Sequence, residues 1–332
     1  MKTTLLTIAT LSALALLATA CTADEPGGGA SAPAGVQSAL SVTSVLRDPG
    51  TGVEIDAHTR AEVLLPLEAG SIGVFRSQGT GYTSALNNKK YTYSAGNGWQ
   101  PAATTDSIML NGDNANVCAY YPYNADTKYA SSSALPLVSG KYTGTDVAHD
   151  PNDLCYDYNR ALNAYSRKTE FKMKHAMALM ELLVGKDELL SDQDMTLTSV
   201  SAVNAASATV NITASTPTYG SVVAGTVTCN PADNDKGVVI PALPGRATPA
   251  RMLLVPLTPA STGTVIGLTV NGNPLTATIP TTDIAKIEAG VRYRVKITVT
   301  PVIMQVTGVD ILPWTDVTVG GDDHVYNPDE SI

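Results

Sequence analysis

Thr264-Val265-Ile266-Gly267-Leu268-Thr269-Val270, then Asn271-Gly272-Asn273-Pro274, then Leu275-Thr276-Ala277-Thr278-Ile279: this stretch decides how the chain is read. Two runs rich in β-branched residues, each of strand length, flank residues that favour turns. The pattern repeats on both sides. Residues 195–203, 208–212, 225–229, 237–240, 250–255, 291–299 and 303–309 have the same character. A spacing of about ten residues with turn chemistry between argues for a β-sandwich.

Upstream the reading is the same. Leu40, Val42 and Leu46 alternate with polar residues as a half-buried strand does, and Arg47-Asp48-Pro49-Gly50 breaks the run. Further strands are expected at 71–76, 90–93, 108–110 and 115–121, with turns at Gly96-Asn97-Gly98 and Asn111-Gly112-Asp113. Residues 125–153 read as a long polar excursion carrying a short strand at 135–138. Residues 171–185 fit two periods. Met173, His175, Met177 and Leu179 match a strand, while Met173, Met177 and Met180 match a helix. The expectation is a strand flowing into a short helical turn.

Composition agrees with an all-β chain containing little helix. Two Phe and two Trp stand against 14 Tyr, among abundant Val, Thr and Ala. The net charge of -9, with no basic stripe, argues against nucleic acid as a partner. Residues 1–20 read as a secretory signal: Lys2, an apolar run, and Leu17-Ala18-Thr19-Ala20 before Cys21. A cysteine at that point reads as a lipobox, so Cys21 is the expected lipidation site. The Gly/Ala/Ser/Pro-rich residues 21–36 form a flexible tether. About 300 residues remain, enough for two domains. They are expected at 37–165 and 166–332, divided within the polar stretch between Tyr158 and Phe171. Beyond Cys21 only Cys118, Cys155 and Cys229 occur. A disulfide from Cys118 to Cys155 and three buried thiols are both open readings.

No catalytic constellation stands out. His58, His149, His175 and His324 are scattered without zinc-like spacing, and His175 reads as a packed core or edge residue. Gly112-Asp113 and Gly320-Gly321-Asp322-Asp323 lack the acid spacing of a calcium loop. No phosphate-binding glycine loop or nucleophile elbow is present. The chain is therefore read as a non-enzyme with no cofactor and no metal. Tyr120, Tyr121 and Tyr123 offer either a glycan-stacking patch or a strand end packed under a loop.

An ordered set of residues carries a family resemblance. It runs Ile72-Gly73-Val74-Phe75, Tyr91, Gly98-Trp99, Ala119-Tyr120-Tyr121-Pro122-Tyr123, and Asp153-Leu154. It continues with Phe171, His175-Ala176-Met177-Ala178, Glu288-Ala289-Gly290-Val291-Arg292-Tyr293 and Ile311-Leu312-Pro313-Trp314. Together with the lipobox, this set resembles the fimbrillin family, the major- and minor-fimbria-type pilin lipoproteins of anaerobic Gram-negative bacteria. The resemblance implies two tandem transthyretin-like β-sandwich domains with Greek-key topology. It also implies an outer-membrane, palmitate-bearing lipoprotein that is cut by an arginine-specific protease. Polymerisation by donor-strand exchange then gives adhesive surface fibres, with other copies or related pilins as partners.

On that basis the strand at 39–46 is the one expected to be removed. Arg60, in the polar Asp56-Ala57-His58-Thr59-Arg60-Ala61, is the preferred cut; Arg47, followed by Asp48-Pro49, is the alternative. The C-terminal donor candidate is 315–332, through Val317, Val319 and Val325. Gly320-Gly321-Asp322-Asp323 interrupts it and Pro328 cannot donate to a ladder, which leaves a tip or anchor subunit as an alternative. A monomeric lipoprotein that binds a host glycan or protein is another. A glycosidase on a β-sandwich would need two facing carboxylates, and no such pair is evident.

Overall fold

A computed structural model describes residues 36–47, 65–144, 150–231, 236–242, 247, 249–301 and 303–313, all within one compact unit, Ala32–Ile332. Strands and turns make up the described chain, with three short 3-10 helices and no α-helix. The strands begin with β1 (Ser38–Ala39), β2 (Ser41–Arg47), β3 (Leu65–Pro66), β4 (Ser71–Arg76), β5 (Leu86–Ser94), β6 (Gly98–Pro101) and β7 (Met109–Leu110). Then come β8 (Ala115–Tyr121), β9 (Leu135–Val138), β10 (Gly140–Lys141), β11 (Cys155–Leu162), β12 (Lys168–His175) and β13 (Ala178–Lys186). The rest are β14 (Thr196–Asn211), β15 (Thr218–Cys229), β16 (Val238–Val239), β17 (Ala250–Leu254), β18 (Thr264–Val270), β19 (Asn273–Ile279), β20 (Val291–Val299) and β21 (Met304–Pro313).

An eight-stranded sheet has the order β3-β2-β12-β11-β8-β4-β5-β6, and β1 pairs with β7 beside it. A five-stranded sheet, β10-β17-β13-β20-β21, faces a six-stranded one built on β15-β14-β18-β19, with β16 and β9 also paired to β14. Met180, Leu182, Met252, Ile266 and Val295 belong to the core shared by the last two sheets. Ile72, Val74, Tyr91, Val117 and Phe171 belong to the core of the first. A third cluster joins residues of both regions: Phe75, Cys118 and Tyr120 meet Leu137, Met177, Leu179, Ala208 and Leu253.

The ambiguous stretch resolves into two strands rather than a strand and a helical turn. Along β12 burial alternates strictly, so Thr169, Phe171, Met173 and His175 point inward while Lys168, Glu170, Lys172 and Lys174 point out. In β13 every residue is buried. A central strand covered on both faces loses its alternation and looks like a helix or a continuous apolar run. Its one carboxylate, Glu181, is only 1% exposed and is held by Arg251 Nε at 2.9 Å and Arg294 Nε at 3.1 Å. Both arginines sit directly opposite it on the flanking strands.

The division expected at 165/166 needs correcting. It falls inside the eight-stranded sheet, because β11 and β12 are antiparallel neighbours with Cys155 opposite His175 and Tyr156 opposite Lys174. The polar run between them is a turn, not a linker: Asn163 Oδ1 accepts the Tyr165 and Ser166 N–H groups, both at 2.9 Å. The chain leaves this sheet at Ala176 and Met177, both fully buried. The expected strands at 195–203 and 208–212 are also one strand, the sixteen-residue β14, whose bulge near Ala205 disguises its continuity.

The polar excursion does structural work. Its strand β9 pairs with the far half of β14, Leu135 opposite Val210, and β10 pairs with β17. One segment thus adds a strand to each of the two C-terminal sheets. Cys118, Cys155 and Cys229 form no disulfide. Cys118 lies opposite Tyr158 and Cys155 opposite Tyr121, so the two point to opposite faces of the sheet. Burial pushes the Cys118 thiol up to about 12 and that of Cys229 to about 11.

Leu137, 1% exposed on β9, ties the excursion to the C-terminal sheets. Leu137→Ala should cost about 2–5 kcal/mol, read as a lower midpoint in urea unfolding. An unchanged midpoint would mean that β9 contributes nothing to the shared core. In the native protein, Cys118 and Cys229 should resist alkylation at neutral pH and react once urea unfolds the chain.

Candidate functional site

The first strand of the sheet is the one whose placement is least like the rest. Ser41–Arg47 runs parallel to β12, with Ser41 opposite Lys168 and Val45 opposite Phe171. Every other described pairing in the eight-stranded sheet is antiparallel. Leu40, Val42 and Val45 are 4%, 5% and 1% exposed and pack into the same cluster as Trp99, Ile108, Leu110, Phe171 and Met173. β2 also packs against β6, from the far end of the strand order, so the sheet closes over that cluster.

Hydrogen bonds hold the strand along its length. Leu40 N–H donates to Ile108 O at 2.8 Å, and Ser41 N–H to Arg167 O at 2.9 Å. Thr43 Oγ1 donates to Thr169 O at 2.9 Å, and Ser44 Oγ to Glu170 Oε2 at 2.7 Å. On the other edge, Leu67 N–H donates to Val45 O at 2.7 Å. Burial of the three apolar side chains contributes about 5–9 kcal/mol, as an upper estimate. Taking β2 away would uncover an apolar channel and one backbone edge of β12.

The expected strand at 39–46 is therefore present and forms the lid of that channel. Arg47 closes it, with its backbone between Leu65 of β3 and Met173 of β12. A protease takes an extended segment, so cutting beside Arg47 would first require this end of β2 to leave both neighbours. Cys21, Arg60, Val317, Val319 and Val325 lie outside the described residues, as do the expected signal, the tether up to residue 35 and the donor segment.

The three tyrosines do not share a platform. Tyr120 is fully buried, stacked on Tyr129 with ring centroids 5.5 Å apart and tilted against Phe75 at 5.8 Å. Its hydroxyl lies 2.8 Å from Asn88 Oδ1 and accepts Asn124 N–H at 3.0 Å. Burial raises its pKa. The ring crosses Gly73 on β4, where any Cβ would collide with it. Tyr121 points to the other face of the strand, and Tyr123 carries Lys90 Nζ 5.3 Å from its ring centre. Tyr120 offers no face to a glycan; it is a strand end packed under a loop.

One cluster was missed by reading the sequence. Asp153, Cys155 and His175 converge at the point where the chain leaves the eight-stranded sheet, and all are buried. His175 Nδ1 lies 2.9 Å from Asp153 Oδ2 and 3.5 Å from Cys155 Sγ. Burial disfavours the imidazolium, but attraction to Asp153 and Cys155 outweighs it and holds the His175 pKa well above its ordinary value. Asp153-Leu154-Cys155 was the available signal, two metal-ligand types close together at the start of β11. His175 is linked to it only by strand register. A Cys-His-Asp set sealed from solvent has no route to a substrate.

A family model described as fimbrillin-like matches residues 59–314, leaving out β1 and β2. A crystal structure described as a cell adhesion protein, from Bacteroides uniformis ATCC 8492, has a TM-score of 0.56 at 19% identity. The alignment covers 86% of this chain and 100% of that one. A second, given the same description, from Bacteroides ovatus ATCC 8483, has a TM-score of 0.55 at 14% identity, covering 84% and 98%. At these identities they show a shared fold. A search of curated proteins gives no match.

Val45→Ala should loosen β2 by about 1–3 kcal/mol without unfolding the rest. Hydrogen exchange is the measurement: amides of β2 and of β12 should lose protection together while those of β13 and β20 keep theirs. Uniform loss across all four strands would mean that β2 is not a separable lid.

Proposed function

The chain belongs to the fimbrillin-like family, and on that premise we propose that it is a fimbrial subunit that assembles when its strand β2 is replaced by a strand from a neighbouring subunit. The observation that carries this reading is β2 itself. It is a lid with a buried apolar face, Val42 and Val45, joined to the remainder of the sheet through residues 48–64, where Arg60 stands. Cutting after Arg60 would leave β1 and β2 in place by contact alone. Tethering gives an intact strand a high effective concentration in its own groove, and the cut removes that advantage.

The parallel pairing supports exchange. Parallel ladders are slightly less stable per residue than antiparallel ones. An incoming strand antiparallel to β12 would recover the buried contacts and gain better-aligned hydrogen bonds. Residues 315–332 are the proposed donor, with Val317 and Val319 taking the inward positions now held by Val42 and Val45, and Val325 beyond the glycine pair. Cys21 lies on the N-terminal side of Arg60. On this reading Cys21 carries lipid that anchors the precursor to the outer membrane. One cut by an arginine-specific protease then opens the groove and severs the anchor. A copy left uncut stays on the membrane, which accommodates an anchor role for the same chain.

The test is Arg60→Ala. The variant should remain a folded, surface-anchored monomer, and purified precursor treated with an arginine-specific protease should form oligomers that resist sodium dodecyl sulfate only when Arg60 is present. Assembly of the Arg60 variant at the wild-type level, with loss in Arg47→Ala, would move the cut to the end of β2. If neither substitution matters and the protein keeps Cys21 at its N-terminus within fibres, strand exchange is not how it assembles.

A further inference from the structure

We propose that Asp153, Cys155 and His175 form a structural site for a divalent transition metal, best matched by zinc, at the junction between the eight-stranded sheet and the rest of the molecule. Three donors of different chemistry meet there: a carboxylate oxygen, a thiol sulfur and an imidazole nitrogen, all within 4.8 Å of one another. A nitrogen-sulfur-oxygen set selects zinc over calcium or magnesium, which take oxygen.

The separations fit the ion. With Zn–N near 2.05 Å, Zn–S near 2.3 Å and Zn–O near 2.1 Å, a tetrahedral angle places N and S about 3.6 Å apart and N and O about 3.4 Å apart. The structure holds Nδ1 and Sγ at 3.5 Å, and Nδ1 and Oδ2 at 2.9 Å. The first distance already matches. The second is that of a hydrogen bond, and opens by about 0.5 Å when the metal takes the place of the Nδ1 proton. Binding sends that proton and the Cys155 thiol proton to solvent, leaving a neutral imidazole and a thiolate on the ion. A water or the second carboxylate oxygen completes the fourth position.

The scaffold is rigid where a metal site needs it to be. Cys155 and His175 are direct cross-strand partners, so register alone fixes their approach. Asp153 sits two residues before Cys155 in a turn closed by Asp153 N–H to Asp150 O at 3.1 Å. Just past His175, Ala176 N–H donates to Leu154 O at 2.8 Å. With 0–2% exposure at all three residues, the ion would enter as the β11 and β12 ends close during folding, and leave slowly. Its effect would be to pin the two strand ends beside Ala176 and Met177, where the chain crosses between sheets. This inference does not depend on strand exchange.

The experiment is to unfold the purified protein in chelator and refold it with zinc, with cobalt, or with neither. The expected result is one zinc per chain retained through dialysis, a melting temperature about 5 °C higher than without metal, and a cobalt-thiolate charge-transfer band in the near ultraviolet. Cys155→Ser should remove the band, and Cys155→Ser and His175→Gln should each lower retained zinc at least tenfold. The cobalt spectrum of the wild-type chain decides the matter even if a variant fails to fold. A wild-type chain that refolds without holding zinc and shows no band overturns the proposal. Zinc retention that is indifferent to Cys155→Ser does so too, by placing the metal elsewhere.

Discussion

Closure of the eight-stranded sheet rests on three side chains near its beginning. Leu40, Val42 and Val45 fill the channel between β6 and β12, and through Phe171 and Met173 they fix the strand that leads into the rest of the molecule. The segment that supplies them joins the remainder of the sheet only after the stretch 48–64. A core completed by a strand of this kind is stable while that strand is present and open to a substitute when it is not. The proposed assembly mechanism builds on this, with the proposed cut setting its timing.

The other half of the design is resistance to coming apart. β9 and β10, from the middle of the chain, complete sheets whose other strands come much later, and the cluster around Leu137, Met177 and Leu253 is common to both regions. Glu181, held by an arginine on each side, spans three strands of the five-stranded sheet on the face away from its main core. A buried carboxylate is costly unless it is fully paired, and here cross-strand register supplies both partners. If β2 leaves, this interlocked remainder has its own core to stand on.

Much of this was legible in the sequence, for physical reasons that differ by element. β4, β8, β9, β18 and β20 have the bounds that their apolar runs and turns imply. β4, β8 and β18 are flanked on both sides by Gly, Asn, Pro or Ser, and β9 and β20 on one side by Ser139 and Gly290, so most of their ends are marked chemically. β13 was ambiguous because burial on both faces erases the period. β14 looked like two strands because Ala205-Ala206-Ser207 interrupts the apolar pattern, while the backbone simply bulges. The polar run at 159–168 resembled a linker, yet Asn163 organises it as a turn. The lid strand showed plainly in the alternation of Leu40, Val42 and Leu46, although Val45 rather than Leu46 is the residue fully buried, since the pairing shifts by one position beside Thr169. The Asp153-Cys155-His175 cluster was hidden because half of it is a register relation, which no local spacing reveals.

On the proposed mechanism, β2 and an incoming strand compete for one groove. The direct measurement is assembly of protease-cleaved protein, followed by light scattering, in the presence of a synthetic peptide of residues 36–47. If the groove is the assembly site, the peptide should slow oligomer growth in proportion to its concentration, and a scrambled peptide of the same composition should not. Growth at the same rate with and without an excess of the peptide would contradict the account, because a strand that fits the groove would then be no rival to the one that builds the fibre.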